Sequence, residues 1–105
     1  MREVDLATFT ERHRNGAVVI DVRETFEYWT GHVPGAVRMP LGQVAVRAGE
    51  LPKDRPVYVI CASGSRSLTA AARLHRSGID AWSVRGGTSA WQRAGHPVVR
   101  GRRAA

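Results

Sequence analysis

Cys61 is the only cysteine among 105 residues. It follows Val57-Tyr58-Val59-Ile60 and precedes Ala62-Ser63-Gly64-Ser65-Arg66-Ser67. The apolar run reads as a buried strand, and helical spacing begins at Ser65. A strand, a short glycine-containing loop and a helix put one thiol at the carboxyl end of the strand and beside a helix N-terminus. Unpaired backbone N–H groups and the positive end of the helix dipole converge on such a spot. A thiolate is stabilised there, and its pKa is expected to fall below the free value of about 8.5. Arg66 adds a fixed positive charge. Residues of these types in this order suit an activated sulfur nucleophile in an anion-binding cradle.

The loop residues Ala62, Ser63, Gly64 and Ser65 are too small to cover the sulfur, so an accessible thiol is expected. Gly64 permits a left-handed backbone that turns successive N–H groups inward. Ser63, Ser65 and Ser67 place hydroxyls at the rim. No histidine lies beside Cys61 in sequence, so activation is expected from the dipole and the amides rather than from an adjacent base. The competing reading is a buried, inert thiol at a strand end. The small residues leading into a helix weigh against it.

The length suits one domain with one core. A lone cysteine excludes an internal disulfide, and no Cys/His spacing suggests a metal site. Apolar stretches are only a few residues long, which predicts no membrane span. Met1-Arg2-Glu3-Val4-Asp5 lacks the apolar segment of a secretory leader, and a reducing, cytoplasmic setting is expected. Sixteen Lys+Arg against nine Asp+Glu give a net charge of +7. That excess suits small anionic substrates. The arginines are scattered, apart from Arg100, Arg102 and Arg103, so neither nucleic acid nor membrane is expected as a partner.

The elements that must position Cys61 follow from periodicity. Val4 begins an edge strand, and Asp5 caps a helix to about Arg14 with Leu6 and Phe9 on its inner face. Residues 17–22 form a buried strand of the parallel-sheet kind ending in Asp21-Val22-Arg23. A short helix spans 25–30, with Phe26 and Trp29 three apart. Gly31-His32-Val33-Pro34-Gly35 is a turn, residues 36–39 a strand, and 41–48 a helical turn or two. Residues 65–77 form a helix closed by Gly78. Residues 79–84 form a strand, Arg85-Gly86-Gly87 a break, and Thr88 or Ser89 starts a last helix to Arg93. Residues 100–105 are expected to be a disordered basic tail outside a domain of residues 1–99. Alternating strands and helices predict an α/β domain, a mostly parallel sheet with helices on both faces. Cys61 and Asp21–Arg23 both fall at carboxyl ends of strands, where such sheets bind ligands.

Three segments carry a resemblance. Asp21-Val22-Arg23 with Gly31-His32-Val33-Pro34-Gly35-Ala36, then Cys61–Ser67, then Gly86-Gly87 with Ala90-Trp91 resemble, in order and spacing, the signatures of a single-domain rhodanese. The resemblance runs from about Val4 to Val98. It implies a five-stranded sheet and a sulfurtransferase that needs no cofactor or metal. Cys61 would take a sulfane sulfur from a donor such as thiosulfate, become a persulfide, and pass the sulfur to cyanide or a thiol. The amides of Ala62, Ser63, Gly64, Ser65, Arg66 and Ser67 would hold the persulfide or the departing anion, and Arg66 would attract anionic donors. A sulfur carrier docking an acidic protein partner is the main alternative. A phosphatase or arsenate reductase ranks lower, because Cys-x4-Arg makes a smaller ring than the Cys-x5-Arg of phosphatases and no general acid is evident.

The remaining candidates read mainly as structural. Asp21 and Arg23 suit an ion pair or loop anchor more than a substrate contact. His32 suits a hydrogen-bonding turn more than a base. His13, His75 and His96 are expected at the surface, and Trp29, Trp82 and Trp91 in the core. Arg85 is placed near the pocket mouth.

Overall fold

The structure is a computed structural model that describes residues 2–105. Met1, where the expected domain span begins, lies outside the described residues. Five strands, β1 (Glu3–Val4), β2 (Val18–Asp21), β3 (Val37–Arg38), β4 (Val57–Ile60) and β5 (Ala81–Val84), form one sheet in the order β1-β5-β4-β2-β3. Every pairing is parallel. Five helices accompany them: α1 (Leu6–Arg14), α2 (Thr25–Thr30), α3 (Val44–Arg47, flanked by single 3-10 turns), α4 (Ser65–Arg76) and α5 (Gly87–Arg93).

Side chains alternate across β4. Val57 and Val59 join a core with Val44, Ala70, Ala71 and Leu74 of α3 and α4. Tyr58 and Ile60 join a second core with Phe9 of α1 and Trp91 of α5. Both faces are therefore covered, which is why β4 reads as an unbroken apolar run instead of an alternating one. Asp5 caps α1 as expected, its carboxylate accepting from Thr8 N at 2.8 Å.

Two expectations fail. Trp29 is 42% exposed and Phe26 68%. Tyr28, not Trp29, is the buried aromatic of α2, and its hydroxyl donates to Ala36 O at 2.5 Å. A spacing of three in a six-residue helix did not distinguish the inner face. Trp91 is buried, and Trp82 is partly buried against the second core. The tail is also held. Gly101 N donates to Trp29 O at 2.9 Å, Gly35 N donates to Ala104 O at 2.7 Å, and His32 Nε2 meets Arg103 O at 2.6 Å. Basic composition suggests a solvated tail, but backbone hydrogen bonds attach this one to the turn after α2. Among the described residues, no helix is long and apolar enough to cross a membrane.

The break before α5 is a tight contact. Gly87 has φ +57°, and a Cβ there would lie 2.4 Å from Cys61 O and 2.7 Å from the Ala62 carbonyl. Gly87→Ala is expected to cost about 3 kcal/mol or more, combining backbone strain with overlap. Gly49, with nothing within 4 Å of a Cβ, should tolerate alanine within about 0.5 kcal/mol. Urea unfolding of the two variants checks both values.

Candidate active site

Cys61 follows the last residue of β4, the middle strand of the sheet. Its carbonyl and the next one are fixed from outside the loop. Thr88 N and Thr88 Oγ1 donate to Cys61 O at 2.8 and 3.0 Å, and Ser89 N donates to Ala62 O at 3.0 Å. In a trans peptide the carbonyl and the following N–H point in opposite directions. Tethering these carbonyls to α5 thus turns the succeeding amides away from α5. Gly64, at φ +112°, continues the turn and delivers the chain into α4.

The sulfur lies inside this turn. Gly64 N donates to Cys61 Sγ at 3.1 Å and Ser67 N at 3.4 Å. Ser67 Oγ lies 3.4 Å from Sγ, bonds to Gly64 O at 3.1 Å and pairs with Ser83 Oγ of β5 at 2.7 Å. Burial pushes the thiol pKa up. The Ser67 hydroxyl, the Ser67 amide and the amides of Gly64 and Ser63 outweigh it, and the thiol ends below its ordinary value. The thiolate is therefore favoured by hydrogen bonds to the charged form, without a neighbouring base.

The cradle is smaller and tighter than the sequence predicts. Gly64 and Ser67 make the direct N–H contacts, while Ala62, Ser65 and Arg66 donate no backbone hydrogen bond to Sγ. Cys61 itself has no exposed surface. Small loop side chains were expected to leave the sulfur open. They instead allow the backbone to close around it, with Ser63 and Ser65 exposed outside.

Arg66 also differs from expectation. Its guanidinium makes a two-pronged ion pair with Glu27 of α2, at 2.7 and 2.8 Å. The Arg66 side chain holds the Glu27 carboxyl down, from 4.5 to about 2. Glu27 was missed because residue 27 and residue 66 meet only in the tertiary structure. The one sequence signal was its position in the helix that follows Asp21-Val22-Arg23.

Asp21 and Arg23 form the expected structural pair. Arg23 donates from Nη2 to Asp21 Oδ2 at 2.8 Å and to Gly31 O at 2.8 Å, both side chains being buried. The pair ties the end of β2 to the turn after α2. His32 is fully buried and stacks on Tyr28 with ring centres 3.6 Å apart. Its ring nitrogens lie against Tyr28 O and Arg103 O, which leaves neither for a substrate. His13 and His96 pack on Trp91 instead of standing free. Arg85 pairs with Glu3 in an exposed position.

The Rhodanese-like domain model matches residues 6–94. A protein of Allochromatium vinosum named sulfurtransferase is 34% identical over 102 residues, covering 94% of this chain and 95% of its own. The thiosulfate sulfurtransferase GlpE of Pseudomonas putida is 39% identical over 90 residues, covering 83% of this chain and 79% of its own. Among solved structures, a rhodanese-related protein from Thermoplasma volcanium superposes with TM-score 0.87 at 32% identity, over 94% of this chain and 98% of that one.

Two outcomes follow from the geometry. Ser67→Ala removes the hydroxyl from the sulfur and should raise the thiol pKa, read as thiolate absorbance during titration. Glu27 is depressed in the folded state, so its contribution to stability is present above 4.5 and is lost as pH falls toward about 2. Denaturant midpoints measured through that window should fall less steeply in Glu27→Gln than in the unaltered protein.

Proposed function

The chain belongs to the rhodanese-like domain family, and on that premise we propose that it moves a sulfane sulfur through a persulfide on Cys61. The observation that carries this reading is the convergence of Gly64 N and Ser67 N on Sγ, with the Ser67 hydroxyl beside them. Those donors favour a thiolate and suit a chain of two sulfurs that carries negative charge.

The cycle has two displacements. The Cys61 thiolate attacks the outer sulfur of a donor such as thiosulfate. The donor's S–S bond breaks, and its electron pair leaves with the remainder of the donor, sulfite in that case. An acceptor nucleophile, cyanide or a thiolate, then attacks the outer sulfur of the Cys61 persulfide and releases the Cys61 thiolate. This is ping-pong chemistry. Since Cys61 is enclosed, donor entry requires the loop that carries the exposed Ser63 and Ser65 to move outward. The ring of amides re-forms around the loaded sulfur.

Phosphoryl or arsenate chemistry fits less well. It needs a proton donor for the leaving oxygen. Asp21 is bound by Arg23, and Glu27 is held ionised by Arg66. Neither can serve.

Incubation with thiosulfate should add one sulfur atom to the intact mass, and cyanide should remove it with formation of thiocyanate. Cys61→Ser should take up none. Turnover of an aryl phosphate with no sulfur uptake would falsify the proposal.

A further inference from the structure

We propose that Glu27 is a specificity-determining residue: by neutralising Arg66, it makes the site favour sulfur donors of low charge, hydropersulfides, over the thiosulfate dianion. The inference rests on the sulfur-transfer reading above and adds the donor class. Its basis is the charge arrangement around Cys61. Arg66 is the charged residue within the sulfur's own loop, and both of its terminal nitrogens are bound by the Glu27 carboxylate. The other neighbouring pair, Arg23 with Asp21, is also closed on itself and buried. Each cation beside the site therefore has a carboxylate against it, although the chain as a whole carries a net charge of +7. Steering by the whole surface acts over long range and is screened within a Debye length of about 8 Å at physiological salt. At contact, the local pairs decide.

The two donor classes load this site with different charge. With thiosulfate, a thiolate attacks a dianion. The S–S bond breaks, the sulfite dianion leaves with the electron pair, and a persulfide anion remains on Cys61. Three negative charges are gathered at the transition state. With a hydropersulfide R–S–SH, the thiolate attacks the terminal sulfur. R–S⁻ leaves with the electron pair, and Cys61–S–SH remains, still bearing the proton. One negative charge is spread along the three sulfurs. The Gly64 and Ser67 amides and the Ser67 hydroxyl suit one such charge. Gathering three calls for an unpaired cation, and Arg66 is already bound.

The test compares sulfur loading by thiosulfate and by 2-hydroxyethyl hydropersulfide, whose protonated R–S–SH form is the reacting, uncharged donor, as the ratio of their kcat/KM values, with the hydropersulfide concentration counted as that form. Glu27→Gln keeps a carbonyl oxygen near Arg66 but removes the charge. The ratio should shift toward thiosulfate about five- to tenfold, the effect of one released charge on a dianion at an intermediate dielectric. A charge-swapped chain, Glu27→Arg with Arg66→Glu, keeps the pair and its zero sum. Its ratio should stay within about twofold of the unaltered protein, because the summed charge of this partly buried pair is unchanged. This second chain also carries the test if Glu27→Gln fails to fold. A ratio unmoved by Glu27→Gln, or collapsed against thiosulfate by the swap, overturns the role of Glu27. Absence of sulfur loading by either donor in the unaltered protein overturns the transfer reading itself, and this inference with it.

Discussion

The site depends on where two carbonyl groups point. Cys61 O and Ala62 O are held by Thr88 N and Ser89 N in the first turn of α5. With those oxygens committed, peptide planarity turns the Ala62 and Ser63 amides away from α5, and the loop runs on to Gly64 and Ser67, whose N–H groups meet the sulfur. The helix after Gly86-Gly87 thus shapes the loop before α4, although more than twenty positions separate Cys61 from Gly87. Gly87 is needed because the contact is with backbone: the space a methyl would fill is occupied by the Cys61 and Ala62 carbonyls. The second glycine of that break acts on the loop without touching the sulfur.

The rest of the fold supplies rigidity to that crossing. β4 is paired on both sides, with β2 and β5, and its residues Val57–Ile60 are all buried. A strand in that position cannot shift along its axis without breaking two ladders and exposing two cores. β5 contributes Ser83, whose hydroxyl meets that of Ser67. β2 places Asp21 in register with Ile60, the residue just before the cysteine. The sulfur is therefore referenced to three strands and two helices, while its immediate surroundings remain a loop of a few small residues.

Much of this was legible in the sequence. The element from Thr25 to Thr30 and the strand from Val57 to Ile60 were bounded correctly by their residue patterns. The parallel α/β architecture followed from continuous apolar runs alternating with helical spacing. The lowered thiol pKa followed from the strand–loop–helix order, though hydrogen bonds to individual atoms supply it. Three things were not legible. Burial of Cys61 depends on how closely a loop closes, and small side chains are compatible with either outcome. The bond between Arg66 and Glu27 joins residues from separate elements, and no local pattern encodes it. The docking of residues 101–104 relies on backbone groups, which look the same in every sequence.

The sheet also narrows toward its sides. Its three inner strands have four residues each, and the two outermost, β1 and β3, have two. A flanking strand that brief offers a stray chain hardly any unpaired backbone on which to grow, and β3 carries Arg38 as well. The long, β-branched stretches most prone to stacking into fibrils lie in the interior, already paired on both sides. The taper that buries the strand leading to Cys61 thereby protects a sheet of wholly parallel strands, slow to assemble by nature, from self-association.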